Sequence, residues 1–199
     1  MTPTTEAPGI DAILNAQNIN GFEHPGGTDK QVLHSYGPVY ERLLSPLKEE
    51  NVTVLEVGVQ LGGSLLLWHD FLPNSVVIGV DTQDIIDPSI MLRMDPLRCA
   101  VLFMDAYDNR TISKVKQLAP NGIDVAIDDG PHSLASQQRF LELYLPLLND
   151  GGMAIIEDVQ DYSWFDSLTA LVGEDYTYEI IDLREVKGRY DDLMFIVHK

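Results

Sequence analysis

Val54-Leu55-Glu56-Val57-Gly58-Val59-Gln60-Leu61-Gly62-Gly63-Ser64 passes from an apolar run of strand length into a glycine-rich turn and then into helical spacing over 63–71. Further apolar runs near Val76–Val80, Ala100–Met104, Ile123–Ile127 and Met153–Glu157 alternate with helical patterns near Arg110–Leu118, Leu134–Leu148 and Tyr162–Val172. That alternation predicts an α/β fold with a mostly parallel sheet wrapped by helices on both faces. Two β-rich runs, Tyr176–Asp182 and Asp192–His198, are joined by a charged, glycine-containing connection and predict a terminal antiparallel pair. Upstream, Val32, Leu33, Tyr36, Val39, Tyr40, Leu43 and Leu44 recur at i, i+3/i+4 and predict an amphipathic helix over Gln31–Leu47. Residues 1–27, rich in Thr, Pro, Gly and Asn, read as an arm or lid ahead of one domain, 28–199.

Composition narrows the function. With 13 Lys+Arg against 31 Asp+Glu the formal net charge is −18, a field that repels polyphosphate and anionic lipid, so nucleic acid and membrane are excluded as partners. A small hydroxylated acceptor is left open, as is a homo-oligomer. No apolar stretch reaches the roughly 18 residues of a membrane span. The opening is polar and the first basic residue is Lys30, which predicts no export signal and a cytoplasmic chain. Cys99 stands alone in an apolar run and reads as a buried small hydrophobe.

In open α/β sheets ligands lie beyond the carboxyl ends of the strands, where missing Cβ atoms let the backbone approach. Gly58, Gly62 and Gly63 form such a floor, but the spacing G-x-x-x-G-G departs from that of dinucleotide binders. Glu56 beside the turn repels phosphate and suits an ammonium group. Asp81 ends the second strand 23 residues after Gly58, the distance at which an acid takes a ribose diol. Asp105 ends the third strand on the same rim.

Two more strands end in acids, at Asp128-Asp129-Gly130-Pro131-His132-Ser133 and at Ile156-Glu157-Asp158. Neighbouring strand tips lie about 4.8 Å apart, so Asp129, Glu157 and Asp158 can converge on one magnesium ion, which takes about six oxygens. Bare, such a cluster repels itself and needs a cation or a basic neighbour; there is no Lys or Arg between Lys116 and Arg139. His132, three residues after Asp129, is placed to act as a base toward a hydroxyl beside the metal. Tyr162 and Trp164, just past this rim, are candidates for a sugar-stacking wall.

The trio Glu56, Asp81 and Asp105 resembles the nucleoside pocket of Rossmann-like S-adenosylmethionine (SAM) methyltransferases. That resemblance implies a seven-stranded sheet, Glu56 and the glycines, with Ser64, bordering the methionine part, Asp81 the ribose and Asp105 the adenine, and Asp128 in the same cofactor site. Gly27-Thr28-Asp29-Lys30, Leu55 through Leu65, Asp128 through Ser133 and Glu157-Asp158-Val159 further resemble the metal-dependent sugar O-methyltransferases of macrolide and other polyketide pathways, mycinamicin-type, with cephalosporin hydroxylase-like proteins as more distant relatives. The family implies magnesium on Asp129, Glu157 and Asp158, His132 as general base with Asp129 in the catalytic set, and residues 28–30 near the cofactor. The chain departs from the pattern at Pro131, where a serine is expected. The expected function is Mg2+- and SAM-dependent transfer of a methyl group to a hydroxyl of a glycosylated natural product, the metal holding a diol. A catechol-type acceptor and a non-catalytic SAM-binding module are the alternatives.

Overall fold

The computed structural model describes residues 8–199; the first seven residues of the 1–27 segment lie outside the described residues. Seven strands, β1 (Thr53–Val57), β2 (Val76–Asp81), β3 (Cys99–Phe103), β4 (Ile123–Asp128), β5 (Leu148–Ile156), β6 (Thr177–Asp182) and β7 (Leu193–His198), form one sheet in the order β3-β2-β1-β4-β5-β7-β6. The first five are parallel, and β7 runs antiparallel to both β5 and β6. The chain builds outward from β1 through β2 to β3, then returns with β4 against the other side of β1. The carboxyl ends of β1 and β4 therefore flank the point where strand order reverses, the place at which such sheets bind ligands. Val57 pairs with Asp128 there, so Gly58 and Asp129 leave the sheet side by side.

Helices α1 (Ile10–Ala16), α2 (Gly37–Leu44) and α3 (Gly63–Phe71) cover one face. Trp68 and Phe71 of α3 are fully buried with Leu14, Tyr40 and Leu44 in one apolar core. Helices α5 (Asn109–Leu118), α6 (Leu134–Tyr144) and α7 (Trp164–Thr169) cover the other, where Phe140, Tyr144 and Phe165 pack on Ile156 and Phe195. Two one-turn helices, α4 (Pro88–Met91) and α8 (Arg184–Lys187), lie in connections. Helix starts follow local chemistry: Asp108 accepts from the Arg110 amide at 2.7 Å, and Ser133 and Ser136 make a reciprocal capping box on α6. The Tyr144 hydroxyl donates to the Ala106 carbonyl at 2.9 Å across the buried α6 face. Tyr144→Phe is expected to lower stability by about 1 kcal/mol in urea unfolding without changing the fold, because it leaves that carbonyl unpaired.

Three helices depart from expectation, and β5 begins at Leu148, ahead of the Met153 expected. The helix expected over Gln31–Leu47 begins only at Gly37, with Pro38 in its first turn, and ends in a 3-10 turn at Ser45–Leu47; proline suits a helix start and breaks an interior. Val32 and Leu33 consequently sit exposed in a loop. The helix expected over Leu134–Leu148 stops at Tyr144 and tightens into a 3-10 turn containing Pro146, and that over Tyr162–Val172 shortens to Trp164–Thr169. Cys99 is half-buried, and burial pushes its thiol up to about 11. Among the described residues no helix is long and apolar enough to cross a membrane.

Candidate active site

A cavity of about 600 Å³ opens at the strand-order reversal. The glycine turn forms its floor through Gly58, Val59, Gln60, Gly63 and Ser64; the tips of β2 and β3 supply Asp81 and Asp105; the loop after β4 supplies Asp129 and His132. Phe22, Thr28 and Asp29 close it from the amino-terminal side. Of the predicted cofactor residues, Gly58, Gly63, Ser64, Asp81 and Asp105 thus reach the cavity, whereas Glu56, Gly62 and Asp128 stand behind its wall.

Each acid has a distinct environment. Asp81 lines the cavity and accepts the amides of Val59 at 3.0 Å and Gln60 at 2.9 Å on Oδ2 and of Gln83 at 2.9 Å on Oδ1, so its carboxylate braces the glycine turn and keeps one acceptor site on Oδ1. Glu56 is sealed beneath the turn, with the Ser64 hydroxyl at 2.6 Å and the Lys30 ammonium at 3.3 Å. Burial raises its pKa, against the opposing pull of Lys30. Asp128 is buried under the Tyr107 hydroxyl at 2.7 Å, and desolvation lifts it to about 7.

Asp129 and His132 line the opposite end, and the buried Asp158, outside the lining, groups with them. Each offers a ligand atom, and those atoms lie within 4.8 Å of one another. His132 Nε2 stands 3.8 Å from Asp129 Oδ1 and 3.7 Å from Asp158 Oδ2, with its side chain 30% exposed. Burial and the neighbouring Asp129 charge raise Asp158 to about 6. Glu157 is outside this group: its carboxylate takes the Lys30 ammonium at 2.6 Å and the Tyr40 hydroxyl. The basic neighbour that the acid cluster requires is Lys30, which also meets Asp129 at 2.8 Å.

Backbone strain concentrates here. Among the described residues four non-glycine residues have positive φ, and three of them, Gln60 at 43°, His132 at 53° and Asp158 at 51°, belong to the glycine turn or the acid-histidine group. Such conformations persist where surrounding contacts over-determine them, and they cluster at functional sites.

Sequence reasoning missed Tyr36, Tyr40 and Tyr107 as partners of Asp158, Glu157 and Asp128. It did not pair His34 either, whose buried ring meets Asp192 at 2.7 Å and Asp158 at 3.3 Å. These pairs join residues 21 to 158 positions apart, so no local spacing signals them. Tyr162 and Trp164 are absent from the cavity lining; Tyr162 packs edge-on against Phe165 instead.

No protein-family model matches the chain. It is 31% identical over 177 residues to the 8-demethyl-8-alpha-L-rhamnosyl tetracenomycin-C 2'-O-methyltransferase of Streptomyces olivaceus, across 81% of this chain and 44% of the relative. The mycinamicin VI 2''-O-methyltransferase of Micromonospora griseorubida is 31% identical over 140 residues, 66% of this chain and 33% of the relative. These sugar O-methyltransferases are homologues of the chain. The solved MycE methyltransferase of the mycinamycin pathway, in complex with Mg and SAH, shares its fold at TM-score 0.61 and 25% identity over 86% of this chain and 41% of that one. An O-methyltransferase from Bacillus cereus in complex with SAH shares the fold alone, at TM-score 0.62 and 14% identity, over 100% of this chain and 94% of that one. The chain spans less than half the length of these sugar O-methyltransferases.

Proposed function

We propose that this chain transfers a methyl group from SAM to a hydroxyl of a sugar on a glycosylated small molecule, with a magnesium ion beside the acceptor. The observation that carries the reading is the cavity itself, which starts at acids on the tips of β2 and β3, crosses a glycine floor and ends at Asp129 and His132, with the Asp158 carboxylate grouped with them outside the lining. The relatives' names support the sugar acceptor, and the SAH and Mg of the MycE complex support the two cofactors.

The residues present fit both groups. The acceptor site left on Asp81 Oδ1 suits a ribose hydroxyl, and the bare glycine floor leaves room for the methionine part. Asp129 and Asp158 are hard oxygen donors that would hold magnesium, with Glu157 able to add an oxygen by releasing Lys30. When bound, the sulfonium supplies an electrophilic methyl carbon and the divalent ion lowers the pKa of an adjacent hydroxyl. A vicinal diol, with two oxygens at bonding distance, is the acceptor such a site favours. His132 lines the cavity with its side chain 30% exposed and would take the acceptor hydroxyl proton as general base. The enclosing Phe22–Asp29 side limits water around the reacting atoms.

Calorimetry with SAM, followed by methyl transfer to a panel of glycosides bearing vicinal diols with and without excess EDTA, tests the reading. SAM binding and EDTA-sensitive transfer are expected; wild-type rates in EDTA would overturn the metal, and absence of SAM binding would overturn the whole assignment. Asp81→Ala is expected to weaken SAM binding roughly tenfold to a hundredfold, since hydrogen bonds to a charged acceptor contribute about 1.5–3 kcal/mol.

A further inference from the structure

Lysine is almost never fully buried unless paired, yet Lys30 is 1% exposed. Its ammonium group has three donors and meets three carboxylates from three strand ends: Glu157 at 2.6 Å, Asp129 at 2.8 Å and Glu56 at 3.3 Å. The rings of Tyr40 and Trp68 lie 5.8 Å and 5.9 Å from the same nitrogen and close the pocket around it. The backbone on either side is pinned, with the Thr28 amide donating to the Ile19 carbonyl at 2.8 Å and the Tyr36 amide to the Lys30 carbonyl at 3.0 Å. One ammonium therefore stands among three carboxylates, Glu56, Asp129 and Glu157, at a fixed place.

We propose that Lys30 is a positioning residue for the metal site, a resident cation that holds Glu56, Asp129 and Glu157 together and limits how tightly the cluster takes a divalent ion. The inference rests on the magnesium reading above. Two consequences of removing the ammonium share a cause. The carboxylates repel one another and the fold loosens, because a buried ion pair stripped of one partner leaves uncompensated charge. The same surplus negative charge draws a divalent cation more strongly. A lysine that only packed the core would give the first effect without the second.

The test uses Lys30→Met and the double variant Lys30→Met/Glu56→Gln, which removes one negative charge outside the cavity lining. Thermal melts in EDTA and calorimetric titration with Mn2+ are the readouts. Lys30→Met is expected to melt roughly 10 °C lower in EDTA, to bind Mn2+ roughly tenfold or more tightly than wild type, and to recover much of its melting temperature when Mn2+ is added. The double variant should regain stability in EDTA. Equal Mn2+ affinity in wild type and Lys30→Met overturns the proposal, as does a double variant no more stable than the single one. If Lys30→Met alone fails to fold, a folded double variant supports the inference and an unfolded one overturns it. A wild type that ignores Mn2+ sinks the magnesium reading instead, while the two melts in EDTA still decide whether Lys30 holds the carboxylates together.

Discussion

Replacing His132 by asparagine is expected to lower turnover by roughly 10²–10⁴-fold, the usual worth of a positioned general base, while SAM affinity stays within about twofold of wild type. Asparagine is the better probe than alanine because His132 has φ 53°. Alanine in that left-handed conformation adds strain of about 1–2 kcal/mol, whereas asparagine tolerates it. The imidazole touches no part of the glycine floor or Asp81, so nothing in the SAM half of the cavity is disturbed. Asp129 and Asp158 remain to hold the metal, and Mn2+ affinity should change far less than turnover. Pre-steady-state methyl transfer and SAM calorimetry on the same preparation separate the two effects. A loss of turnover under threefold would remove His132 from the mechanism, and a parallel collapse in SAM binding would make it structural.

Much of this site was legible because buried parallel strands read as unbroken apolar runs. The strand expected near Thr53–Val57 matches β1, and the acids at the ends of β2, β4 and β5 were placed by counting from the strand ends. What stayed hidden was pairing at a distance. Asp129 and Lys30 lie 99 residues apart, Tyr40 and Glu157 117, and only the finished sheet brings them together. Glu56 is instructive: a carboxylate beside the turn was expected to suit an ammonium group, and the ammonium that the structure provides is the chain's own Lys30. The overlong helix over Gln31–Leu47 has the opposite origin. Val32 and Leu33 keep the helical spacing but not the burial, being 49% and 41% exposed, so periodicity ran past the point where Pro38 starts the helix.

The glycine floor leads to the second large effect, at Gly58→Ala. Gly58 has φ 82°, and a Cβ built there would stand 1.9 Å from the carbonyl oxygen of Asp129 and 2.5 Å from its carbon. Both atoms are backbone, held by the Asp129 amide donating to the Val57 carbonyl at 2.9 Å, so no side chain can rotate to relieve the overlap. Either the turn or the loop bearing Asp129 and His132 must shift, and each shift opens the junction between the cofactor half and the metal half of the cavity. Gly151 supplies the control: its φ is 81°, yet a Cβ there meets nothing within 4 Å. Gly151→Ala should thus report the cost of left-handed backbone alone, about 1–2 kcal/mol, or roughly 2–8 °C in melting temperature for a chain of this length. Gly58→Ala adds the clash and is expected to lose roughly 4 kcal/mol or more, together with measurable SAM binding. If the two variants melt alike and Gly58→Ala binds SAM normally, the close approach of the β1 turn to the Asp129 backbone is not what holds the site in register.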